Sequence, residues 1–333
     1  MYKLLYVLVS ATKDLYCEQC IVSILSTKRY SPTTYISLLI DDVTEKNIRS
    51  DENRNRIFAL VNECVVVNRP KGFSSMESSR FLKTKMREFI KGDFLYIDSD
   101  TIVCDSLEKI EDVPYDLAAV LDQHMPLTFN THATVFQNHL RIVAETPEIT
   151  KYDKYFNGGV LWVRDTKRNH DFFSLWNKNW MNSREKGICT DMPALAQTNY
   201  MMNFAISELT GIWNCQVWFG VNYLANAKVV HYFSSISEFS GGYNVFSEDI
   251  PNKYKQNGRL DDTDWGKIAS VKSSFPIPAL IIYGNDFEIY RSSLSGILRF
   301  IYRRKRIFLF LEKCLLSLRV FRSKIMLKNV TKK

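Results

Sequence analysis

The first third of the chain alternates apolar runs of strand length with more polar stretches. Runs that are apolar at nearly every position, rather than at every second one, are typical of strands buried on both faces of a parallel sheet. The runs are KLLYVLVS (3–10), YISLLIDD (35–42), ECVVVNR (63–69), FLYID (94–98) and LAAVLD (117–122).

Helical patterns separate these predicted strands. SSMESSRFLKTKMREFIKG (74–92) predicts a helix, because Ser74 and Glu77 have the spacing of a capping box and Gly92 can end the helix. Strands that alternate with helices indicate an α/β fold, with helices flanking a mostly parallel sheet. In such sheets ligands bind beyond the carboxyl ends of the strands.

The second half of the chain has a less regular pattern. GGVLWVRD (158–165) and AKVVHYF (227–233) predict further strands, and HDFFSLWNKNWMN (170–182) predicts a helix with aromatic residues on one side. The segment 236–290 is rich in Gly, Ser, Asn and aromatic residues, so we expect loops with short elements there.

Composition is that of a folded protein with a large core. The chain has 333 residues, 46% of them hydrophobic and 13% aromatic, enough for one large α/β domain or two smaller ones. Seven irregularly spaced cysteines argue against a disulfide framework, and we interpret the opening MYKLLYVLVSATKD as a strand rather than a signal peptide. No apolar run has the length of a membrane span, so we expect a cytoplasmic protein.

The positive net charge is concentrated at one end. Residues 291–333 contain thirteen Lys or Arg residues and one acidic residue, whereas the rest contains 31 basic and 35 acidic residues, a net charge of −4. An enzyme acting on nucleic acid would carry its basic residues around its site, so we expect no nucleic-acid partner. In 292–328 basic residues are interleaved with Leu, Ile and Phe, which predicts an amphipathic helix for an anionic membrane surface, peripheral at the inner face. The alternatives are a terminal helix docked on the acidic body, a disordered arm, or an arm that binds nucleic acid.

FLYIDSDTIV (94–103) places two carboxylates, Asp98 and Asp100, after a buried strand. Three interpretations are open. The pair can hold a divalent cation that bridges two phosphates; Asp98 can be a nucleophile, as in haloacid dehalogenase-type phosphohydrolases; or the strand can simply run into a polar turn. Those phosphohydrolases usually begin with this motif, whereas here three predicted strands precede it.

Two further segments carry candidate chemistry. YFNGGVLWVRD (155–165) places Asn157 and two glycines before a strand, where an amide can bind sugar hydroxyls and the backbone can approach a ligand. VVHYF (229–233) leaves His231 at the end of an apolar run, and beside an Asp-x-Asp pair its imidazole can be a third metal ligand. Taken alone, the first segment is more often an ordinary turn before a strand, and a lone histidine such as His231 is usually structural.

These pieces, together with the opening LLYVLVSATKDLY and the SRFLK helix, resemble the bacterial glycosyltransferases with the GT-A fold, most closely those of family 8, from about residue 3 to residue 235. The resemblance implies a Rossmann-like GT-A domain and a hexosyl-type transferase that uses a nucleotide sugar, for which we expect a UDP-sugar. The acceptor would be a polysaccharide or a lipid-linked glycan such as lipopolysaccharide, and the anomeric configuration would be retained.

The resemblance also assigns site residues. Asp98, Asp100 and His231 would ligate Mn²⁺ or Mg²⁺. Thr12, Tyr16 and Arg80 would bind the nucleotide-sugar donor; a basic helical face such as Arg80, Lys83 and Arg87 is otherwise most often solvated. The catalytic set would be Asp122, Asn157 and Asp191.

Two positions depart from the family pattern. Met192 stands where the family usually has a glutamine after the acid, and Ser234 and Ser235 follow where a lysine-proline-tryptophan stretch is usual. A sugar-binding protein without turnover is therefore an alternative. We expect a nucleotide-sugar-binding half at 1–125, an acceptor-binding half at 126–290 and a basic tail at 291–333.

Overall fold

The computed structural model describes residues 2–130, 133–144, 149, 152–233, 245–246, 250–273, 288–289 and 291–315. The chain divides into two units, Met1–Ala279 and Leu280–Lys333. The predicted boundary between donor and acceptor halves at 125/126 stays a prediction.

The first unit alternates strands and helices through most of its length. The strands are β1 Lys3–Leu8, β2 Tyr35–Asp41, β3 Glu63–Val67, β4 Phe94–Ile97, β5 Thr101–Val103, β6 Leu117–Leu121, β7 Phe156–Val163, β8 Ser207–Glu208, β9 Cys215–Gln216 and β10 Val229–His231. The helices are α1 Tyr16–Tyr30, α2 Asp42–Arg49, α3 Glu52–Asn55, α4 Ile57–Leu60, α5 Ser75–Phe89, α6 Ala133–Val143, α7 Lys167–Glu185, α8 Met192–Met201, α9 Ile250–Asn257 and α10 Asp262–Ala269.

Seven strands form the main sheet, in the order β3-β2-β1-β4-β7-β6-β8. Neighbours are parallel except at β7, which is antiparallel to both β4 and β6. The predicted mostly parallel α/β sheet is thus confirmed. The carboxyl ends of β1, β2, β4 and β6 lie at one edge of the sheet, as sequence alternation implied.

Apolar side chains cover both faces of this sheet. One core joins β1, β2 and β4 to α1 and includes Cys17 and Cys20, and the other joins β1, β4 and β7 to α5 and α7. Cys17 and Cys20 are buried in this packing, and all seven cysteines are unpaired, in agreement with the expected lack of a disulfide framework. Helix α5 begins at the predicted capping box: Ser74 and Glu77 each accept a hydrogen bond from the other's main-chain N–H.

A second sheet of three short strands, in the order β5-β10-β9, lies beyond the end of β4. Strand β5 was not predicted separately, because the chain turns by two residues at Ser99 and Asp100 and resumes pairing with β10 instead of β4. Within the 236–290 segment the described residues are 245–246, 250–273 and 288–289, and they include the short helices α9 and α10.

The second unit contains α11, Ser293–Tyr302, and residues 305–315 are also helical. Large apolar side chains of this unit are exposed, among them Leu294, Phe300, Phe310 and Leu315. The remainder of the predicted tail helix, 316–328, lies outside the described residues. Among the described residues, no helix is long and apolar enough to cross a membrane.

Candidate active site

Three side chains converge where β4, β5 and β10 meet. Asp98 follows β4, Asp100 precedes β5, and His231 ends β10 opposite Thr101 of β5. Main-chain hydrogen bonds fix the turn: Asp98 N–H donates to the Gly159 carbonyl at 2.8 Å, and Tyr232 N–H donates to the Asp100 carbonyl at 3.1 Å. The turn thereby directs both carboxylates toward His231.

The three groups fit a divalent metal. One ligand atom from each of Asp98, Asp100 and His231 lies within 4.8 Å of the others, and His231 Nε2 is 3.3 Å from Asp100 Oδ1. Two carboxylate oxygens and one imidazole nitrogen suit Mn²⁺ and related divalent cations. Two side chains of the turn between β4 and β5 and one from the end of β10 thus form the three-residue set that the sequence singled out.

The FNGG segment was expected to be a turn before a strand, but it lies within β7, and its Gly159 keeps this centre open. A Cβ at Gly159 would come within 2.8 Å of Asp98 Oδ2 and closer still to the His231 ring. A Cβ at Gly158 would make only ordinary contacts, 3.4 Å from Asp191 Oδ2 and 3.5 Å from Lys83 Nζ. Gly159 therefore leaves room for the side chains of the three-residue set, a role that differs from the ligand approach we expected.

A second cluster pairs cations of α5 with the carboxylate of Asp191, which precedes α8. Lys83 Nζ lies 3.1 Å from Asp191 Oδ2 and 3.4 Å from Asp98 Oδ1, and Arg80 Nε lies 3.2 Å from Asp191 Oδ1. Lys83 and Arg87 are buried, so the alternative of a solvated basic face is wrong. Arg87 instead pairs with Asp165 at 3.1 Å, away from the site.

The Asp191 carboxyl is ionised despite its burial. Burial alone would raise its pKa, but the neighbouring charges of Lys83 and Arg80 outweigh burial and lower the pKa to about 2. A buried carboxylate beside two cations is a fixed negative charge, and the family resemblance assigns this residue to the reacting carbon.

Asp98 also accepts a hydrogen bond from the phenol of Tyr96, two residues earlier on β4. Burial and the nearby Asp98 carboxylate raise the pKa of Tyr96 well above its ordinary value. The phenol is consequently a proton donor at neutral pH. One oxygen of Asp98 therefore faces Tyr96 and Lys83, while the other faces His231.

Asp122 and Asn157 are joined by a buried hydrogen bond, with Asn157 Nδ2 donating to Asp122 Oδ1 at 2.9 Å. Asn130 Nδ2 donates to Asp122 Oδ2, also at 2.9 Å. After Asp122 the backbone enters the left-handed region at Gln123 (φ 57°) and His124 (φ 58°), which is uncommon without glycine and often found at functional sites. Asp122 is thereby held at the end of β6.

An open cleft lies beside the metal-ligand set, at the carboxyl end of β1. Its lining includes Tyr16, Arg80, Tyr96, Asp98 and Asp100, together with serines of α5. The structure places Thr12 on the loop after β1, where its carbonyl accepts a hydrogen bond from Lys255 Nζ at 2.9 Å. The cleft thus brings together most of the residues predicted to bind the donor.

Comparison with protein families identifies the chain. The profile described as glycosyl transferase family 8 matches residues 7–236, a range that contains every residue of the site. The chain belongs to glycosyl transferase family 8. It is accordingly a glycosyltransferase, and the phosphohydrolase interpretation of Asp98 is wrong.

Solved structures agree with the family at the level of the fold. The galactosyltransferase LgtC, in complex with donor and acceptor sugar analogs, is 17% identical, with 80% of this chain and 99% of that chain covered and a TM-score of 0.50. An active-site mutant of LgtC is 18% identical over the same shares, with a TM-score of 0.51. Mouse xyloside xylosyltransferase 1 is 12% identical, covering 70% and 98%, with a TM-score of 0.47. The fold of this family 8 chain is GT-A.

No curated protein matches the chain in sequence. Sequence analysis of the family 8 site missed Lys83 as a partner of both Asp98 and Asp191, and it missed Tyr96. Lys83 lies three residues after Arg80 on α5, a spacing that places both on one face of a helix. The departures at Ser234 and Ser235 lie outside the described residues.

Proposed function

We propose that this family 8 enzyme transfers a hexose from a UDP-sugar to a polysaccharide or a lipid-linked glycan, with retention of anomeric configuration. The observation that carries the proposal is the Asp98–Asp100–His231 set beside an open cleft at the carboxyl end of β1. The resemblance in sequence supports the choice of donor and stereochemistry.

The three-residue set would hold Mn²⁺ or Mg²⁺, which supplies positive charge to the departing diphosphate. Arg80 lines the same cleft and its guanidinium is partly exposed there. It is positioned to donate hydrogen bonds to a diphosphate while its Nε stays beside Asp191. Tyr16, at the start of α1, also lines the cleft and would offer an exposed aromatic ring to a nucleotide base.

Asp191, Asp122 and Asn157 would act on the sugar. Asp191 keeps its negative charge at any physiological pH, since its pKa is about 2, so it can stabilise positive charge that develops at the anomeric carbon. Asp122 and Asn157 are held rigidly by their mutual hydrogen bond. They would orient the hydroxyls of the donor sugar and its acceptor.

The basic tail would bring the enzyme to an anionic membrane surface. In residues 291–315 a cluster of four bases, Arg303 to Arg306, lies between the exposed apolar residues of α11 and those of 305–315. Basic and large apolar groups together suit anionic lipid, and each base contributes about 1 kcal/mol near such a surface. This location fits a lipid-linked acceptor.

Release of nucleotide from a panel of sugar nucleotides tests the proposal, with manganese or with chelator and with an aryl phosphate in parallel. We expect slow manganese-dependent release from one UDP-sugar. Asp98→Asn should abolish metal-dependent binding of that donor, whereas Asp112→Asn, an exposed carboxylate elsewhere, should not. Metal-dependent binding of a donor without any release would instead establish a sugar-nucleotide-binding protein, and cleavage of the aryl phosphate alone would contradict the transferase.

A further inference from the structure

A chain of buried amide side chains runs from Asp122 to the proposed metal ligand His231. Asn157 Nδ2 donates to Asp122 Oδ1 at 2.9 Å, Asn214 Nδ2 donates to Asn157 Oδ1 at 3.0 Å, and Asn214 Oδ1 lies 3.0 Å from His231 Nδ1. All four residues are buried. Asn214 lies between the short helix Gly211–Trp213 and β9, and sequence analysis did not single it out.

The orientation of the Asn157 amide follows from a main-chain N–H group. The N–H of Gly159 donates to Asn157 Oδ1 at 2.9 Å, and a backbone N–H can only donate. The other end of Asn157 faces the Asp122 carboxylate, which accepts. The oxygen of Asn157 therefore points toward Gly159 and Asn214, and its nitrogen points toward Asp122.

The orientation passes along the chain to the imidazole. Because Asn157 presents an oxygen to Asn214, Asn214 must offer its nitrogen there and its oxygen to His231. His231 Nδ1 must then carry the hydrogen in order to donate. In the neutral ring this leaves the lone pair on Nε2, the atom that faces Asp98 and Asp100 at 3.9 and 3.3 Å.

We propose that Asn214 is a positioning residue that fixes the tautomer of His231 and so prepares Nε2 as a metal ligand. The inference rests on the proposed metal site. Without Asn214, the ring is free to carry its hydrogen on Nε2 and donate it to Asp100, in competition with a metal ion. Partners of this kind commonly change metal affinity by about 10–100-fold.

The chain also connects two parts of the proposed site. Asp122 and Asn157 were assigned to the sugars and His231 to the metal, and Asn214 bonds to both Asn157 and His231. Gly159, which contributes the orienting N–H, also makes room for the His231 ring. The FNGG segment of β7 therefore orients the amide chain and accommodates the imidazole.

The test uses Asn214→Leu, which removes both hydrogen bonds at similar volume. Asn179→Leu is the matched control, because Asn179 is also buried and donates to a side chain, Thr198 Oγ1 at 2.9 Å, away from the site. Binding of Mn²⁺ to the full chain is measured from the free-ion EPR signal. Nitrogen-15 NMR of the histidine rings at alkaline pH gives the tautomer, with His231→Gln to assign the signal among the five histidines.

We expect hydrogen on Nδ1 of His231 in the unsubstituted protein. Asn214→Leu should lose this tautomer and bind Mn²⁺ about 10–100-fold more weakly, while Asn179→Leu matches the unsubstituted protein. Hydrogen on Nε2 in the unsubstituted protein would overturn the inference even if Asn214→Leu failed to fold, and so would undiminished Mn²⁺ binding by that variant. If the unsubstituted protein binds no Mn²⁺, the proposed metal role fails, while the tautomer still decides the part played by Asn214.

Discussion

Lys83 is the residue whose removal should disturb the site most broadly, because its ammonium lies between Asp98 and Asp191. Lys83→Met keeps most of the apolar stem and removes the charge. Arg80 remains beside Asp191, so we expect a loss of about 3 kcal/mol in the free energy of unfolding, at the low end for a broken buried pair. Urea unfolding measures this loss, and donor turnover should fall in parallel.

Acid unfolding separates the charge of Lys83 from its packing. A depressed folded-state pKa contributes stability that is present above the unfolded value, about 3.9 for Asp, and lost as pH falls through the folded value, about 2 for Asp191. Lys83→Met raises the folded pKa of Asp191, so its acid unfolding should begin at higher pH. Lys85, two residues after Lys83 on α5, pairs with Glu88, and Lys85→Met should not shift the pH at which acid unfolding begins. Equal shifts in the two variants would contradict the role of Lys83.

At the residue scale, the sequence identified the three proposed metal ligands but not the buried ion pairs beside them. Asp98 and Asp100 could be found because they follow the apolar run of β4, and strand ends in an α/β sheet meet at one edge. His231 could be found because it ends another apolar run, although the sheet that brings it to the aspartates was not predicted. The burial of Lys83 could not be predicted, because the carboxylate that pairs with it, Asp191, comes from the start of α8, far along the chain. A helical face with Arg80, Lys83 and Arg87 looks solvated until its partners are known.

At the scale of elements, the FNGG segment at the start of β7 should tolerate one added methyl group but not the other. Gly159→Ala places its Cβ against Asp98 and the His231 ring, whereas Gly158→Ala makes only contacts of 3.4 Å and longer. We expect Gly159→Ala to lose measurable Mn²⁺ binding in the EPR titration and Gly158→Ala to retain it. Loss of Mn²⁺ binding in both variants would indicate a requirement for the main-chain conformation of this segment rather than for space around the three-residue set.

The loop between β1 and α1 is anchored by a buried arginine of α3. Arg54 Nη1 donates to the Ala11 carbonyl at 2.7 Å, and its Nε pairs with buried Glu18 of α1, also at 2.7 Å. Arg54→Met leaves Glu18 as an unpaired buried charge and frees the loop that carries Thr12. We expect a loss of about 3–5 kcal/mol in stability, measured by urea unfolding, and a higher KM for the donor.

Combining Arg54→Met with Glu18→Leu distinguishes the two roles of Arg54, which are to pair with buried Glu18 and to hold the loop after β1. Removing both charges should restore much of the stability, because a buried ion pair is often replaceable by apolar side chains. The KM should stay high, since the carbonyl of Ala11 still lacks its donor. A double variant with a normal KM would show that Arg54 does not position the loop.

Element type was predictable where a run was long and uniformly apolar, as in β1, β2, β4 and β6. The direction of β7 was not, because GGVLWVRD has the same pattern whether it runs parallel or antiparallel to β4. The three-stranded sheet was missed for a related reason: β5 and β9 have three and two residues, too few to show a period. This small sheet brings His231 to the aspartates, so the site depends on an element that pattern alone does not reveal.

At the scale of the whole molecule, charge and apolar exposure coincide in residues 291–315. Deleting 291–333 removes thirteen basic residues and one acidic residue and leaves the whole region matched by the family intact. We expect the shortened protein to lose co-sedimentation with vesicles containing anionic lipid at low salt. Its turnover of a soluble acceptor should be unchanged, because every proposed site residue lies before position 236.

A charge variant shows whether electrostatics or apolar insertion dominates this binding. Replacing Arg303, Arg304, Lys305 and Arg306 by Gln leaves the exposed Leu, Ile and Phe side chains of 291–315 in place. At about 1 kcal/mol for each base, vesicle affinity should fall by two to three powers of ten, and the salt dependence of binding should weaken with it. Full-length protein that sediments equally with neutral and anionic vesicles, or a deletion variant that still sediments, would contradict an anionic-membrane role for the tail.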